Sequence, residues 1–510
     1  MLKKAVLITS CMVITMANVV HAAVADSIAA FKIAQVIQSN MVVQQKKPFR
    51  IWGTSQAGDV IALQADWTGK ISKITASNDG KWLGEIKVPA AVKGDFKAHT
   101  ITIKYKTGVV KLTNLLIGDV WFASGQSNME MRMATVPGWG TGVKDFEKEL
   151  PQANYPYIRL YKAEMGIEFE PQQEIKGGEW EACTPKSAAG FSGVGYYFVR
   201  ELFNSLQIPI GVVGAAIPAT GAQNFTDINV LLADSVLKKK YVDPYTKAID
   251  SIRAKNDKHT TLASLNYPGL VYNKMIYPFQ DLSIKGFIWY QGESNNEDGK
   301  LYTRLTEAKL AGWRRDFTQG DLPYYFVQMT PYKWGKNDST LNWYAKFREA
   351  QVDILKTKNT GMAVTMDIGE PDNIHPLNKK DVGIRLAKVA LHDTYGENIV
   401  YRGPQYKQFK VDGNWVKVQF DGKTIGSGIK TIDRAAPRHF YIAGVDKKFY
   451  KAEARIIGNE IWLNTREVQQ PVAVRYAFTN APLTNLAGST GLPAVPFRTD
   501  NWPEPVIAKK

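Results

Sequence analysis

The sequence predicts an α/β fold: a parallel sheet with helices on both faces, preceded by a β-sandwich and followed by a second β-region. Three observations carry that expectation. Between about residues 114 and 399, short apolar runs alternate with amphipathic helical patterns, which feeds strands into a parallel sheet. Residues 26–113 hold runs of alternating apolar and polar residues separated by turn signals. Residues 400–510 return to that strand pattern. A chain of 510 residues also exceeds one ordinary core, so several domains are expected.

In chain order, residues 1–25 read as an export signal. Lys3 and Lys4 give the positive start, "AVLITSCMVITMANVV" the apolar segment, and "VHA" or "AVA" a cleavage site. A secreted or periplasmic chain is therefore expected. In residues 26–113, "MVVQQKKPFRIWG", "DVIALQADW", "ISKITASNDGKWLGEIKV" and "HTITIKYKTG" predict strands, with hairpin turns at Asp79-Gly80 and Thr107-Gly108. In residues 114–399, "DVWFAS", "IPIGVVGAAI", "IKGFIWYQ", "LPYYFVQM" and "GMAVTMDIG" predict buried strands. Between them, "GYYFVRELFNSL", "YTRLTEAKLAGWRRDF" and "WYAKFREAQVDILK" predict helices. A last helix, "KKDVGIRLAKVALHDTYG", carries Val382, Leu386, Val389 and Ala390 on one face. The closing strands are "QFKVDGNWVKVQF", "HFYIAGVDKKFYKAEARIIGNEIWL" and "PVAVRYAFTN".

Composition narrows the function. With 45% hydrophobic residues the chain buries large cores. Beyond the signal it keeps one cysteine, Cys183, so no internal disulfide or cysteine metal cluster is expected, and Cys183 reads as structural. The formal charge is +16, but the lysines are scattered apart from short clusters such as Lys238-Lys239-Lys240. No basic stripe interleaves with aromatics, which argues against a nucleic-acid partner. No later run reaches the ~20 apolar residues of a membrane span.

Open α/β sheets place ligands beyond the carboxyl ends of their strands. Three polar loops follow such ends: "GQSN" at 125–128, "QGESNN" at 291–296 and "DIGEPDNIHPLNKKD" at 367–381. Ser127 in the first is a candidate nucleophile, although Gly, Ser and Asn also simply suit a turn. Acyl transfer needs in addition an imidazole base and a carboxylate that orients it. Among the histidines beyond the signal, only His375 lies in a strand-end loop of the parallel sheet. Asp372, three residues earlier, is the candidate orienter, with Asp367 and Glu370 as rivals. Alternatively the segment is a Pro-rich turn in which Asp372 caps and His375 is exposed. Glu293 could act as a second acid, as in a glycoside hydrolase, or accept loop hydrogen bonds. No metal-ligand spacing is present.

Taken together, "GDVWFASGQSNM" (118–129), "WYQGESN" (289–295) and "DNIHPLNKKDVGIRLA" (372–387) resemble the SGNH-hydrolase superfamily, and within it the sialate O-acetylesterase-like family. "MVVQQKKPFRIWG" and "GLPAVPFRTDNW" resemble that family's flanking β-regions, so the likeness covers nearly the whole chain. The resemblance implies Ser127 as nucleophile, His375 as base and Asp372 as orienter, with no cofactor. It implies an oxyanion hole made by the Ser127 N–H and a side chain of "QGESN", Gln291 by preference and Asn295 as the alternative. One block departs from the family pattern. In "IPIGVVGAAIPATGAQNF", Pro218 and Ala219 replace the usual glycine pair before Thr220, and Phe225 replaces a tryptophan. Ala219 keeps an N–H for the oxyanion where Pro218 has none; otherwise the hole is rebuilt around Gly221. The implied activity is a secreted esterase removing O-acetyl groups from sialic acids. Acetylated xylan or another neutral glycan is the alternative substrate, and a non-catalytic carbohydrate-binding protein the alternative class.

Overall fold

A computed structural model describes residues 31–136, 140–334 and 342–502. The expected export signal at residues 1–25 lies outside them. The central sheet contains β1 (Gly108–Gly125), β2 (Tyr155–Lys162), β3 (Trp180–Cys183), β4 (Ile210–Ala216), β5 (Gly286–Tyr290), β6 (Tyr324–Val327) and β7 (Thr360–Ala363). Their spatial order is β3-β2-β4-β1-β5-β6-β7, and every pairing is parallel except the edge pair β3–β2. Every residue of β5 is buried, as the continuous apolar run "GFIWY" requires of a strand covered on both faces.

Helices α1 (Ser127–Glu130), α2 (Gly193–Leu206), α3 (Lys300–Phe317), α4 (Trp343–Asp353) and α5 (Lys379–Asp393) provide that cover. Adjacent residues of β1 point to opposite faces. Trp121 meets Phe198 of α2 edge-on at 5.0 Å, whereas Phe122 meets Trp313 and Phe317 of α3 at 6.4 and 6.1 Å. On the α2 side, α5 packs against α2 and buries the expected row Val382, Leu386, Val389 and Ala390.

β1 also enters the N-terminal sandwich. Its first half pairs with His99–Tyr105 through the Thr107-Gly108 hairpin, and Leu116–Gly118 pairs with Val42–Gln44. The boundary drawn at 113/114 thus falls inside one continuous strand. Asp79-Gly80 makes a turn, with Gly80 at φ +76°, but not the expected hairpin. The strand before it, Ile71–Thr75, pairs with Val60–Ala65, while Lys81–Lys87 pairs with Pro48–Thr54 of the other sheet. A turn signal specifies a chain reversal and leaves the partner edge open.

The C-terminal β-region contains two four-stranded sheets, one built on Trp415–Phe420 and one on Ala473–Tyr476. It grips the loops that follow β6 and β7. Arg498 holds Glu349 of α4 with two bonds of 2.7 and 2.9 Å, Asn480 accepts from the Tyr332 and Tyr344 N–H groups, and Thr484 N–H donates to Met366 O at 3.0 Å. Cys183 is buried and free, its thiol pushed up to about 12 by desolvation, as a structural cysteine requires. Among the described residues, no helix is long and apolar enough to cross a membrane, and no group of three or more His, Cys, Asp and Glu could hold a metal ion.

Candidate active site

The end of β1 is held between its two neighbours. Gln126 N–H donates to Tyr290 O of β5 at 3.0 Å, and Gly125 O accepts from Ile217 N, just past β4, at 3.1 Å. Gly125 has φ +143°, and a Cβ there would stand 2.2 Å from Tyr290 O, so only glycine fits the corner. The chain then makes the single turn α1, in which Gln126 O accepts from Met129 N and Glu130 N at 2.9 Å. Ser127 occupies the first helical position, where its backbone N–H has no intrahelical partner. Its side chain is nearly buried, and Oγ lies 2.8 Å from His375 Nε2.

His375 sits on the loop between β7 and α5. That loop is stapled from within: Glu370 accepts from Asn373 Nδ2 at 2.9 Å and from Leu377 N–H at 2.7 Å, and Asn373 Oδ1 accepts from His375 N–H at 3.0 Å. Asp367 is held by Arg385 of α5 through two bonds of 2.6 and 2.7 Å. Burial lowers the proton affinity of His375, and the neighbouring Lys379 lowers it further. A neutral imidazole beside a hydroxyl is the state that accepts its proton. The pair lies in a cleft of about 300 Å³ lined also by Met131, Gly140, Thr141 and Asn373. A larger cavity of about 560 Å³ opens at the opposite, amino end of the sheet around Lys47 and Lys285; no serine or histidine lines it.

Ser127 and His375, far apart in sequence, are thus brought together, but three expected contacts are not made. Asp372 does not meet the imidazole. Its carboxylate is 78% exposed and accepts from Lys333 Nζ at 2.8 Å, an exposed carboxylate taking the nearest cation. Gln291 does not face Ser127. It is fully buried, donates to Thr220 O and Asn295 Oδ1 at 3.1 and 2.8 Å, and accepts from the Tyr302 hydroxyl at 3.0 Å. Asn295 is equally occupied: Oδ1 accepts from Ala222 N–H at 2.9 Å, and Nδ2 donates to Gln223 and Asp298. Both amides anchor the loop after β4 because a buried amide must satisfy every polar atom, and loop backbone is what surrounds them. Gly221 N–H is engaged by Leu265 O at 3.2 Å, whereas Ala219 N–H makes no backbone hydrogen bond among the described residues. Ala219 holds φ +58°, the left-handed region that the usual glycine would adopt freely. Phe225 is buried against Trp289 at 5.1 Å.

Two residues at the site went unremarked in the sequence, Asn128 and Lys379. Asn128 Oδ1 accepts from buried Lys379 Nζ at 2.7 Å, and Asn128 Nδ2 donates to buried Glu293. Both lie inside the quoted blocks, in "GQSNM" and "NKKD", so only their roles were hidden. Glu293 accepts a loop hydrogen bond, the more ordinary of the two readings given to it.

Comparison with known proteins converges on one family. The model of the family "carbohydrate esterase, sialic acid-specific acetylesterase" matches residues 117–392. The sialate O-acetylesterase of Rattus norvegicus is 26% identical over 433 residues, covering 75% of this chain and 77% of that protein. The Homo sapiens sialate O-acetylesterase is 28% identical over 409 residues, 73% of each chain. Among solved structures, a carbohydrate acetylesterase from Xanthomonas citri is 33% identical with a TM-score of 0.79, over 92% of this chain and all of that one.

Proposed function

The chain belongs to the carbohydrate esterase family of sialic acid-specific acetylesterases, and from that premise we propose that it deacetylates sugar hydroxyls with Ser127 as nucleophile and His375 as base. The observation that carries this reading is the 2.8 Å approach of Ser127 Oγ to His375 Nε2 inside a cleft at the carboxyl edge of the sheet. Ser127 Oγ attacks the acetyl carbonyl carbon as its proton passes to Nε2. The tetrahedral oxyanion is assigned to the N–H groups of Ser127 and Ala219, neither of which makes a backbone hydrogen bond among the described residues. Collapse expels the sugar oxygen, which takes the proton from Nε2 and leaves acetyl-Ser127. Water, deprotonated by the same nitrogen, releases acetate and restores the serine.

Asp372 is the proposed orienter, reached by a side-chain rotation away from Lys333. Its rivals are committed elsewhere, Asp367 to Arg385 and Glu370 to Asn373 and Leu377, with both oxygens of each engaged. Among the described residues His375 shows a ring hydrogen bond only through Nε2, and an exposed ion pair worth ~0–1 kcal/mol is a weak restraint on Asp372.

Two readings of the sugar follow from different observations. The family and the basic charge favour an O-acetylated sialic acid. The cleft favours a neutral acetylated glycan, because among the described residues its lining includes no lysine or arginine to pair with a sialate carboxylate. We take the neutral glycan as the better-supported reading of the site. Acetate release from O-acetylated sialic acid and from acetylated xylo-oligosaccharides, with Ser127→Ala as control, tests both levels. Activity surviving in Ser127→Ala sinks the mechanism; a kcat/KM preference for the sialic acid sinks the neutral-glycan choice. Export to the periplasm or medium is proposed as well, and is checked by the N-terminal sequence of the protein recovered from those fractions.

A further inference from the structure

Behind the Ser127–His375 pair lies a buried polar chain that the hydrolysis steps do not use. Lys379, at the first position of α5 and 1% exposed, donates to Asn128 Oδ1 at 2.7 Å and to Pro376 O. Asn128 Nδ2 donates to Ile374 O at 3.0 Å and to Glu293 Oε1. Asn128 directly follows the nucleophile, while Ile374 and Pro376 flank the base. One strut therefore reaches both partners of the catalytic hydrogen bond from behind. Burying a lysine and a glutamate is costly, and an apolar replacement of similar volume is often as stable. Stability alone is a poor reason for this arrangement.

We propose that Lys379 is a positioning residue of the esterase reaction: through Asn128 and Glu293 it locks the nucleophile turn to the histidine loop, with its ammonium set behind the base. The groups facing Lys379 are Glu293 and the Tyr290 ring (5.7 Å from Nζ) on the β5 side, Glu370 from the preceding loop, and His375. From α2 it meets Gly193, which brings no charge. Burial pulls the ammonium down to about 7, and the two carboxylates work against that fall. Burial raises the Glu293 carboxyl in turn. An ammonium beside an imidazole disfavours the imidazolium, so removing it raises the proton affinity of His375. The acidic limb of kcat/KM then moves to higher pH.

This inference rests on Ser127 and His375 being nucleophile and base, and its test separates the two. Lys379→Met, Glu293→Gln and Ser127→Ala, each in the full chain, are compared with wild type on a small acetyl ester across pH. Lys379→Met is expected to lower kcat by about tenfold or more through lost alignment, with KM little changed and the acidic limb at higher pH. Glu293→Gln keeps the acceptor for Asn128 but supports the ammonium less, so its limb moves the same way by a smaller amount. Limbs that stay in place in both variants overturn the proposal while an inactive Ser127→Ala leaves the mechanism standing. If Lys379→Met does not fold, the isosteric Glu293→Gln decides alone. An active Ser127→Ala overturns the underlying mechanism instead.

Discussion

At the carboxyl edge of the sheet, residues 125–128 are buried and tied through Gly125 and Gln126 to Ile217 and Tyr290, whereas the loop carrying His375 is half-exposed and held mainly by its own side chains, with backbone bonds from Lys144 and Lys333 at Leu377 O and Pro371 O. Ser127 is placed by backbone: β1 ends where β5 and the start of the β4 loop allow, and α1 begins at once. His375 is placed largely by side chains, Glu370 and Asn373 within the loop and Lys379 beneath it. A serine fixed to a sheet sets the frame, and the histidine is brought to it by parts that are individually replaceable. The proposed orienter, Asp372, stands furthest out, on a surface ion pair. Positional certainty therefore falls from Ser127 to His375 to Asp372, and variants along that series test the ranking.

The largest effect is expected at the meeting point. Ser127→Ala and His375→Ala should each lower kcat by about 10⁴-fold or more, with the thermal midpoint nearly unchanged. A residual rate within tenfold of wild type in either variant would remove that side chain from the chemistry.

Asp372 comes next. Asp372→Asn should lower kcat by about 10²-fold or more, because a misdirected imidazole no longer presents Nε2 as acceptor. Lys333→Ala should leave kcat within about twofold, since it removes only a surface pair that holds the carboxylate away. Asp372→Asn matching wild type would show that no carboxylate orients His375, and the catalytic unit would be a dyad.

A third variant strikes the frame itself. Gly125→Ala forces a Cβ into Tyr290 O at 2.2 Å and a side chain onto φ +143°. It should cost about 2 kcal/mol or more of stability and reduce kcat as Ser127 shifts. No substitution of an exposed residue in the histidine loop should destabilise the fold comparably. A Gly125→Ala protein with wild-type melting would show that the corner yields.

Legibility in the sequence follows the same division. Buried strands announce themselves because apolar runs such as "GFIWY" have one use in a soluble core, and the loops after them announce where polar chemistry gathers. Those grounds make Ser127 and His375 candidates, and the family resemblance of their blocks singles them out. The donors are not readable. The resemblance implies an oxyanion donor in "QGESN", and Gln291 is preferred to Asn295 because it ends the strand, but which way a side chain turns depends on the partners around it, and Thr220, Asn295 and Tyr302 claim every polar atom. Lys379 was unreadable for a related reason: a lysine beside another lysine at a helix start reads as solvated, and only the fold buries one of the two. Asp79-Gly80 gave its turn but not its pairing, since partner edges are fixed by contacts distant in sequence.

Acid sensitivity probes the base side alone. Burial and Lys379 both lower the proton affinity of His375, so as long as Asp372 stays on Lys333 the acidic limb of kcat/KM lies below the ordinary imidazole value of ~6.5. A limb above that value would mean that a facing carboxylate outweighs both, which is what Asp372 turned inward would do. The measurement therefore also reports whether the rotation has happened in the working enzyme.

The smallest effect belongs to the loop after β4, where Ala219 occupies a glycine conformation. The left-handed region costs an L-residue roughly 1–2 kcal/mol, and glycine gives part of that back by losing more freedom on folding. Ala219→Gly should accordingly stabilise the protein by about 0.5–1 kcal/mol, a rise of a few degrees at most in the thermal midpoint. The backbone N–H remains, so kcat on a small acetyl ester should stay within about twofold. Ala219→Pro keeps the backbone carbonyl but deletes that N–H, and proline's fixed negative φ conflicts with φ +58°, so stability must be read alongside rate. A folded Ala219→Pro protein with unchanged kcat would remove this N–H from the oxyanion hole and leave the frame around Ser127 to supply both donors. If instead kcat falls far more than stability does, the loop after β4 joins the nucleophile turn as a backbone-built part of the site, and the side-chain-built histidine loop is the exception.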